Sequence, residues 1–260
     1  PFMHCEAYKA IAHLPLSERV EALRRDEVRA AILGDLIVDK TSPIIGSRLV
    51  NKWHIMYPLG DPPDYEPDAS TSLAAIAKRT GVDAAVLAYD LLLERDGTAM
   101  FYVPTVNYVD GNLDSVREQL MHDAAVPGLS DGGAHVGTIC DVSFPTTLMQ
   151  WWGRDRPHGR IPLETIVAKQ ARATAETVGF MDRGLLAPGY KADINVIDFD
   201  ALTLHAPTIV GDLPAGGNRL MQKVTGIDHT FVNGTEVASN SESTGATPGR
   251  LVRGAQKAGH

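Results

Sequence analysis

The sequence predicts an α/β body followed by a small β-rich segment, and three observations carry that prediction. Residues 99–108, 110–122 and 126–129 read in order as strand, helix and strand with short connections, the signature of a parallel sheet. The last of these runs stops at Asp131, and Gly132 and Gly133 follow at once, so the backbone can turn sharply there. A carboxylate at the C-terminal lip of a parallel strand is where such folds, barrels above all, carry their chemistry. From residue 184 onward, short apolar runs between turn residues replace the helical periodicity.

Composition bounds the function. The chain has 260 residues, 44% of them hydrophobic, and a formal net charge of −8. That balance argues against a general nucleic-acid or anionic-membrane binder, which needs a basic patch. No apolar run approaches the ~20 residues that span a bilayer. The start, Pro1-Phe2-Met3-His4, is neither basic nor apolar enough for a signal peptide. Cys5 and Cys140 form no CxxC pair and no disulfide framework, so a reducing cytoplasm is the expected location.

Taken in order, residues 5–36 read as helical, with Ser17 as the N-cap of a helix to Leu33 and Val20, Leu23, Val28 and Ile32 on its apolar stripe. Residues 43–50 and 53–59 read as strands, and Gly60 to Pro67 as a rigid loop. Ser70 or Ser72 caps a helix that Gly81 ends, and a second helix runs over 83–94. Pro104 interrupts the strand at 99–108. Helices follow at 145–152 and from 162 or 163 to 178, closed by Gly179. Residues 194–198 read as a strand and 230–237 as a hairpin with Asn233-Gly234 at its tip. The Gly-rich stretch 239–260 reads as an extended or partly disordered tail. The division expected is therefore 1–183 for the α/β body and 184–260 for the β segment and tail.

Asp131 is the main candidate for chemistry, as a metal ligand, a general base or both, against the alternative that it caps a helix or starts a turn. His135 stands four residues later in a Gly-rich turn, and a loop histidine can equally bond a carbonyl. Asn107 and Tyr108 follow a strand and are candidate pocket residues. Arg154 and Arg156 have the fork geometry for a carboxylate, and Asp155 between them makes a structural pairing the alternative. No two of the nine histidines stand at His-x-His or His-x3-His spacing, so a metal site would need scattered ligands.

Arg183-Gly184-x-Leu186-Ala187-Pro188-Gly189-x-x-Ala192-Asp193-Ile194-Asn195-Val196, followed by Val232-Asn233-Gly234, resembles the C-terminal signature of the amidohydrolase superfamily. Ser130-Asp131-Gly132-Gly133-Ala134-His135 is similar to the end of barrel strand eight in its D-aminoacylase branch, which deacylates N-acyl-D-amino acids. Residues 14–20, Asp64-Tyr65-Glu66-Pro67, Asn107-Tyr108, Asp155-Arg156 and 212–217 fit the same branch, so the resemblance covers about residues 1–253. It implies the C-terminal part of a (β/α)8 TIM-type barrel with a small β-sandwich appendage. It also implies a metal-dependent hydrolase of an amide C–N bond, with a divalent metal, zinc expected, as cofactor. Asp131 takes the place of the aspartate that ligates the metal and accepts a proton from the attacking water. The substrate implied is a small N-acyl amino acid.

The chain also departs from that pattern. The His-x-His of strand one and the later barrel histidines have no counterpart, so the chain is expected to be a C-terminal half that needs its missing N-terminal half or a partner chain to close the barrel. The arginine that holds the substrate carboxylate in better-known relatives is absent from Val136 to Asp141, and Arg154 or Arg156 is the expected substitute. A cyclic-amide or ureido hydrolase and a non-catalytic scaffold are the alternatives.

Overall fold

The structure, a computed structural model, describes residues 1–36, 52–108, 110–128, 133 and 135–257. The run expected as a strand at 43–50 and the pivotal Asp131 lie outside the described residues. The chain is mixed α/β and divides into two compact units: Pro1–Gly60 with Asp64–Leu113, and Asp61–Pro63 with Asp114–His260. The expected boundary at 183/184 falls inside the second unit.

In the first unit, the N-terminal stretch forms a short turn of helix at Glu6–Lys9, then α1 (Leu16–Leu23) and α2 (Asp26–Gly34). One helix was expected from Ser17. Instead Arg25 is extended (φ −77°, ψ 135°), and α2 restarts on Asp26 and Glu27, acids that suit a helix N-terminus. The cap and stop read from sequence for α3 (Leu73–Thr80) are present, and Asp83, expected as the first residue of the next helix, instead caps α4 (Ala84–Leu92). Ser72 Oγ accepts from Ala75 N at 3.2 Å, and Gly81 takes the left-handed conformation at φ 73°. Asp83 Oδ1 accepts from Ala85 N at 2.8 Å. These helices bury Phe2, Cys5, Ile32, Met56, Leu73, Ala88 and Tyr89 together. The Tyr89 hydroxyl donates to Leu23 O at 2.7 Å, and burial pushes its phenol up to about 12.

The strands of this unit are shorter than expected. Residues 53–59 split into a 3-10 turn at Trp53–Ile55 and β1 (Tyr57–Pro58), which pairs antiparallel with β2 (Phe101–Tyr102). The expected strand at 126–129 is corrected for its described part. Residues 126–128 join no ladder, and Val126 is 40% exposed. Pro127 has no N–H to offer a neighbouring strand, and an apolar run becomes a strand only where a partner edge reaches it. Among the described residues every pair of named strands is antiparallel.

The second unit opens with α5 (Asp114–Met121) and continues through a helix at Phe144–Thr147 that widens into a π-helical stretch over Leu148–Asp155. The helix expected to end at Gly179 does so (φ 78°), with a π-helical stretch at Lys169–Ala173 inside it. Leu148, Trp152, Ile161, Ile166, Leu202 and Leu204 are buried in this unit. From Ile194 the chain is β. A four-stranded antiparallel sheet has the order β10 (Glu242–Ser243), β9 (Thr235–Ser239), β8 (Ile227–Val232), β3 (Ile194–Ile197). The predicted turn joins β8 to β9, with Asn233 at φ 51° and Gly234 at φ 78°, as a type I′ hairpin requires. Two further pairs are β4 (Thr203–Leu204) with β7 (Val224–Thr225), and β5 (Thr208–Leu213) with β6 (Gly217–Met221). Part of the tail pairs with the rest of this unit. Gln256 N donates to Gly179 O at 2.7 Å, in a bridge with Phe180.

Candidate active site

In the first unit, two stretches named for their resemblance meet. The Tyr108 hydroxyl donates to Pro67 O at 2.6 Å, and Glu66 Oε1 accepts from Leu113 N at 2.8 Å. Asp64 Oδ1 accepts from Glu66 N at 2.8 Å, which closes a local turn within the loop. Tyr65 packs edge-on against Tyr102, with centroids 5.2 Å apart. Burial, with Tyr57 and Glu66 close by, raises the Tyr108 phenol well above its ordinary value. Tyr108 therefore acts as a neutral donor across the physiological range. Asn107 is exposed at φ 61°, a left-handed conformation that asparagine tolerates.

In the second unit, the described part of the loop after Asp131 begins at Gly133. His135 is exposed at φ 50°, and its carbonyl accepts from Thr138 N at 2.9 Å and Ile139 N at 3.0 Å. The next residue ties this loop to the β5–β6 hairpin, since Leu220 N donates to Val136 O at 2.7 Å. Across that hairpin Arg219 Nε and Nη2 donate to the two carboxylate oxygens of Asp212 at 2.7 and 2.6 Å. This pair was not singled out from sequence. Its signal is an acid and an arginine on either side of Pro214-Ala215-Gly216, a turn that sets them on facing strands.

The two arginines expected to hold a substrate carboxylate are engaged within the chain. Arg154 donates from Nε and Nη2 to Asp155, from Nη1 to the carbonyls of Phe199 and Asp200, and from Nη2 to Leu202 O at 2.8 Å. Arg156 is fully buried. Its Nη2 donates to Asp114 Oδ1 at 2.6 Å, its Nη1 to His158 O at 3.1 Å, and its guanidinium lies 4.6 Å from the Trp152 ring centroid. The π-helical stretch before them places Arg156 N on Trp151 O at 2.9 Å. A groove of about 400 Å³ along the helix that Gly179 ends, lined by Lys169, Arg172 and Glu176 among others, includes none of the expected site residues.

The two halves of the 183–196 and 232–234 pattern are joined. Asp193 Oδ1 accepts from Asn233 N at 2.8 Å, and Gly234 N donates to Ala192 O at 2.9 Å. Gly184 sits at φ 81°, where a Cβ would lie 2.8 Å from Ala171 O. Gly184→Ala is expected to cost about 2–4 kcal/mol through strain and backbone displacement. Thermal denaturation checks this, as a fall in Tm of roughly 5–15 °C.

The same segment sets an acid limit on stability. The Arg183 hydrogen bond holds Asp182 below the usual carboxylate range, with Lys191 adding to it, and Arg154 does the same for Asp155. A carboxyl whose folded pKa lies below its unfolded value stabilises at higher pH and loses that contribution as pH falls through the folded pKa. Tm should therefore be flat near neutrality and drop below about pH 4. Asp182→Asn should lower the plateau and shallow the acid slope.

Among the described residues no three of His, Cys, Asp and Glu come together as metal ligands. A catalytic zinc site normally uses three protein ligands, so the described residues alone do not fit a divalent ion. Among them no helix is long and apolar enough to cross a membrane.

A model of the amidohydrolase family matches residues 72–238. The chain is 31% identical over 189 residues to an N-acyl-D-glutamate deacylase of Alcaligenes xylosoxydans xylosoxydans, covering 70% of this chain and 33% of that protein. It is 34% identical over 114 residues to a D-aminoacylase of the same organism, covering 42% of this chain and 20% of that protein. The matched stretches span a third or less of these relatives' length. No solved structure matches the chain.

Proposed function

The chain belongs to the amidohydrolase family, and from that premise we propose that the protein hydrolyses the amide bond of an N-acyl amino acid, an N-acyl-D-amino acid being its substrate. The observation that carries this is the similarity to two deacylases whose names specify D-amino acid chemistry. In this reading Asp131 is the proton carrier. It takes a proton from the water that attacks the acyl carbon and returns one to the nitrogen as the C–N bond breaks, leaving a carboxylic acid and a free amino acid. Asn107, Tyr108 and His135 are individual candidates for substrate contact. The same reading assigns the α/β elements to a (β/α)8 barrel, with a β-sandwich from about residue 184. Zinc is the expected ion for the whole protein, with Asp131 one of its ligands.

The test is to assay the protein expressed from its complete reading frame on N-acetyl-D- and N-acetyl-L-amino acids, following release of primary amine. Preferential release from D-substrates supports the reading. No release from either series sinks it, and turnover of a cyclic amide or ureido compound instead would replace the substrate class.

A further inference from the structure

We propose that Asn233 is a site of spontaneous deamidation, and that hydrogen bonds to Ala192 and Asp193 hold the reaction back while the chain is folded.

Asn233 is the one asparagine in the sequence followed by glycine. Glycine has no side chain to keep its own backbone nitrogen from approaching the asparagine amide. In the reaction the Gly234 nitrogen loses its proton and attacks Cγ of Asn233. A five-membered succinimide forms, and the side-chain nitrogen leaves as ammonia. Water then opens the ring at either carbonyl and leaves aspartate or isoaspartate, whose main chain runs through the β-carbon. Nothing is oxidised or reduced, and water is the only other reactant.

The structure supplies the reactive pair and its restraint together. Asn233 and Gly234 are exposed at the tip of the β8–β9 hairpin, and among the described residues the Asn233 side-chain amide has no protein partner. The attacking nitrogen, by contrast, is held. Gly234 N donates to Ala192 O at 2.9 Å, and Asn233 N donates to Asp193 Oδ1 at 2.8 Å. Two adjacent residues just ahead of β3 thus grip the two adjacent residues of the turn. Arg183 Nη1 lies 3.7 Å from Asp193 Oδ2 and steadies the carboxylate from its other side. Ring closure needs the Gly234 bond broken, so it proceeds only in the fraction of molecules whose hairpin tip has opened. The product sets a second carboxylate beside Asp193, and the like charges weaken reclosure.

The experiment incubates the protein expressed from its complete reading frame at mildly alkaline pH, folded and, in parallel, unfolded in urea. Conversion of Asn233 is followed by mass spectrometry of the peptide that contains it, and amide hydrogen exchange is read at Gly234 and at the buried Ile166 of the folded sample. The folded chain should convert at least about tenfold more slowly than the unfolded one. Asp193→Ala should speed folded-state conversion by roughly tenfold to a hundredfold, the worth of a hydrogen bond to a charged group. Exchange at Gly234 should rise by the same factor, with Ile166 unchanged. Asp193→Asn, which keeps an acceptor oxygen without the charge, should fall between, and it carries the same comparison if Asp193→Ala does not fold. Equal rates in the folded and unfolded chain, or no acceleration in either variant, would overturn the inference. Acceleration matched by equally faster exchange at Ile166 would also overturn it, because the whole unit and not the hairpin tip would then be opening.

Discussion

Replacing Asp131 by Asn is expected to lower turnover of the full-length protein by roughly 10²–10⁴-fold, the range contributed by a positioned acid–base group. The amide is nearly isosteric with the carboxylate but cannot accept the proton of the attacking water, so the loss should fall on kcat rather than on folding. Steady-state kinetics paired with a melting curve separates the two. A variant that melts within about 2 °C of wild type, less than roughly 1 kcal/mol for a domain of this size, and turns over slowly is the expected result. A variant that turns over at near wild-type rate would remove Asp131 from the reaction.

The second large effect is on stability. Arg156→Ala should destabilise the unit that holds it by about 2–4 kcal/mol, through a lost hydrogen-bonded ion pair and an emptied buried volume. The partners are named by the structure: Asp114 at the start of α5, the carbonyl of His158 and the face of Trp152. Asp114 is 57% exposed, so it can rehydrate when the arginine is gone, which keeps the cost below that of stranding a buried charge. Arg156→Met, which keeps much of the volume against Trp152, should recover part of the loss. Chemical denaturation of both variants gives the comparison, and a change below about 0.5 kcal/mol for Arg156→Ala would show that this cluster does not hold the unit together.

What the sequence by itself determined is local or patterned. The Asn233-Gly234 turn, the Ser72 cap and the Gly81 and Gly179 stops are legible because each is decided by a few neighbouring residues. The superfamily signature is legible for a related reason. Gly184 is required by a positive φ and a close backbone approach, and Asp193 accepts a hydrogen bond from Asn233, so both residue types are tied to local backbone geometry. Tertiary structure decided what depends on partners far along the chain. Residues 126–128 have the composition of a strand and form none, because a strand exists only by pairing. Arg154 and Arg156 carry the right chemistry for a carboxylate, yet oxygens up to 48 residues away along the chain occupy them. Arg219 and Asp212 stand on either side of a short turn, and only the register of the β5–β6 hairpin brings them together. An arginine's charge is written in its codon, but whether that charge is spent inside the protein or left for a ligand is settled only by which oxygens the fold brings within 3 Å of it.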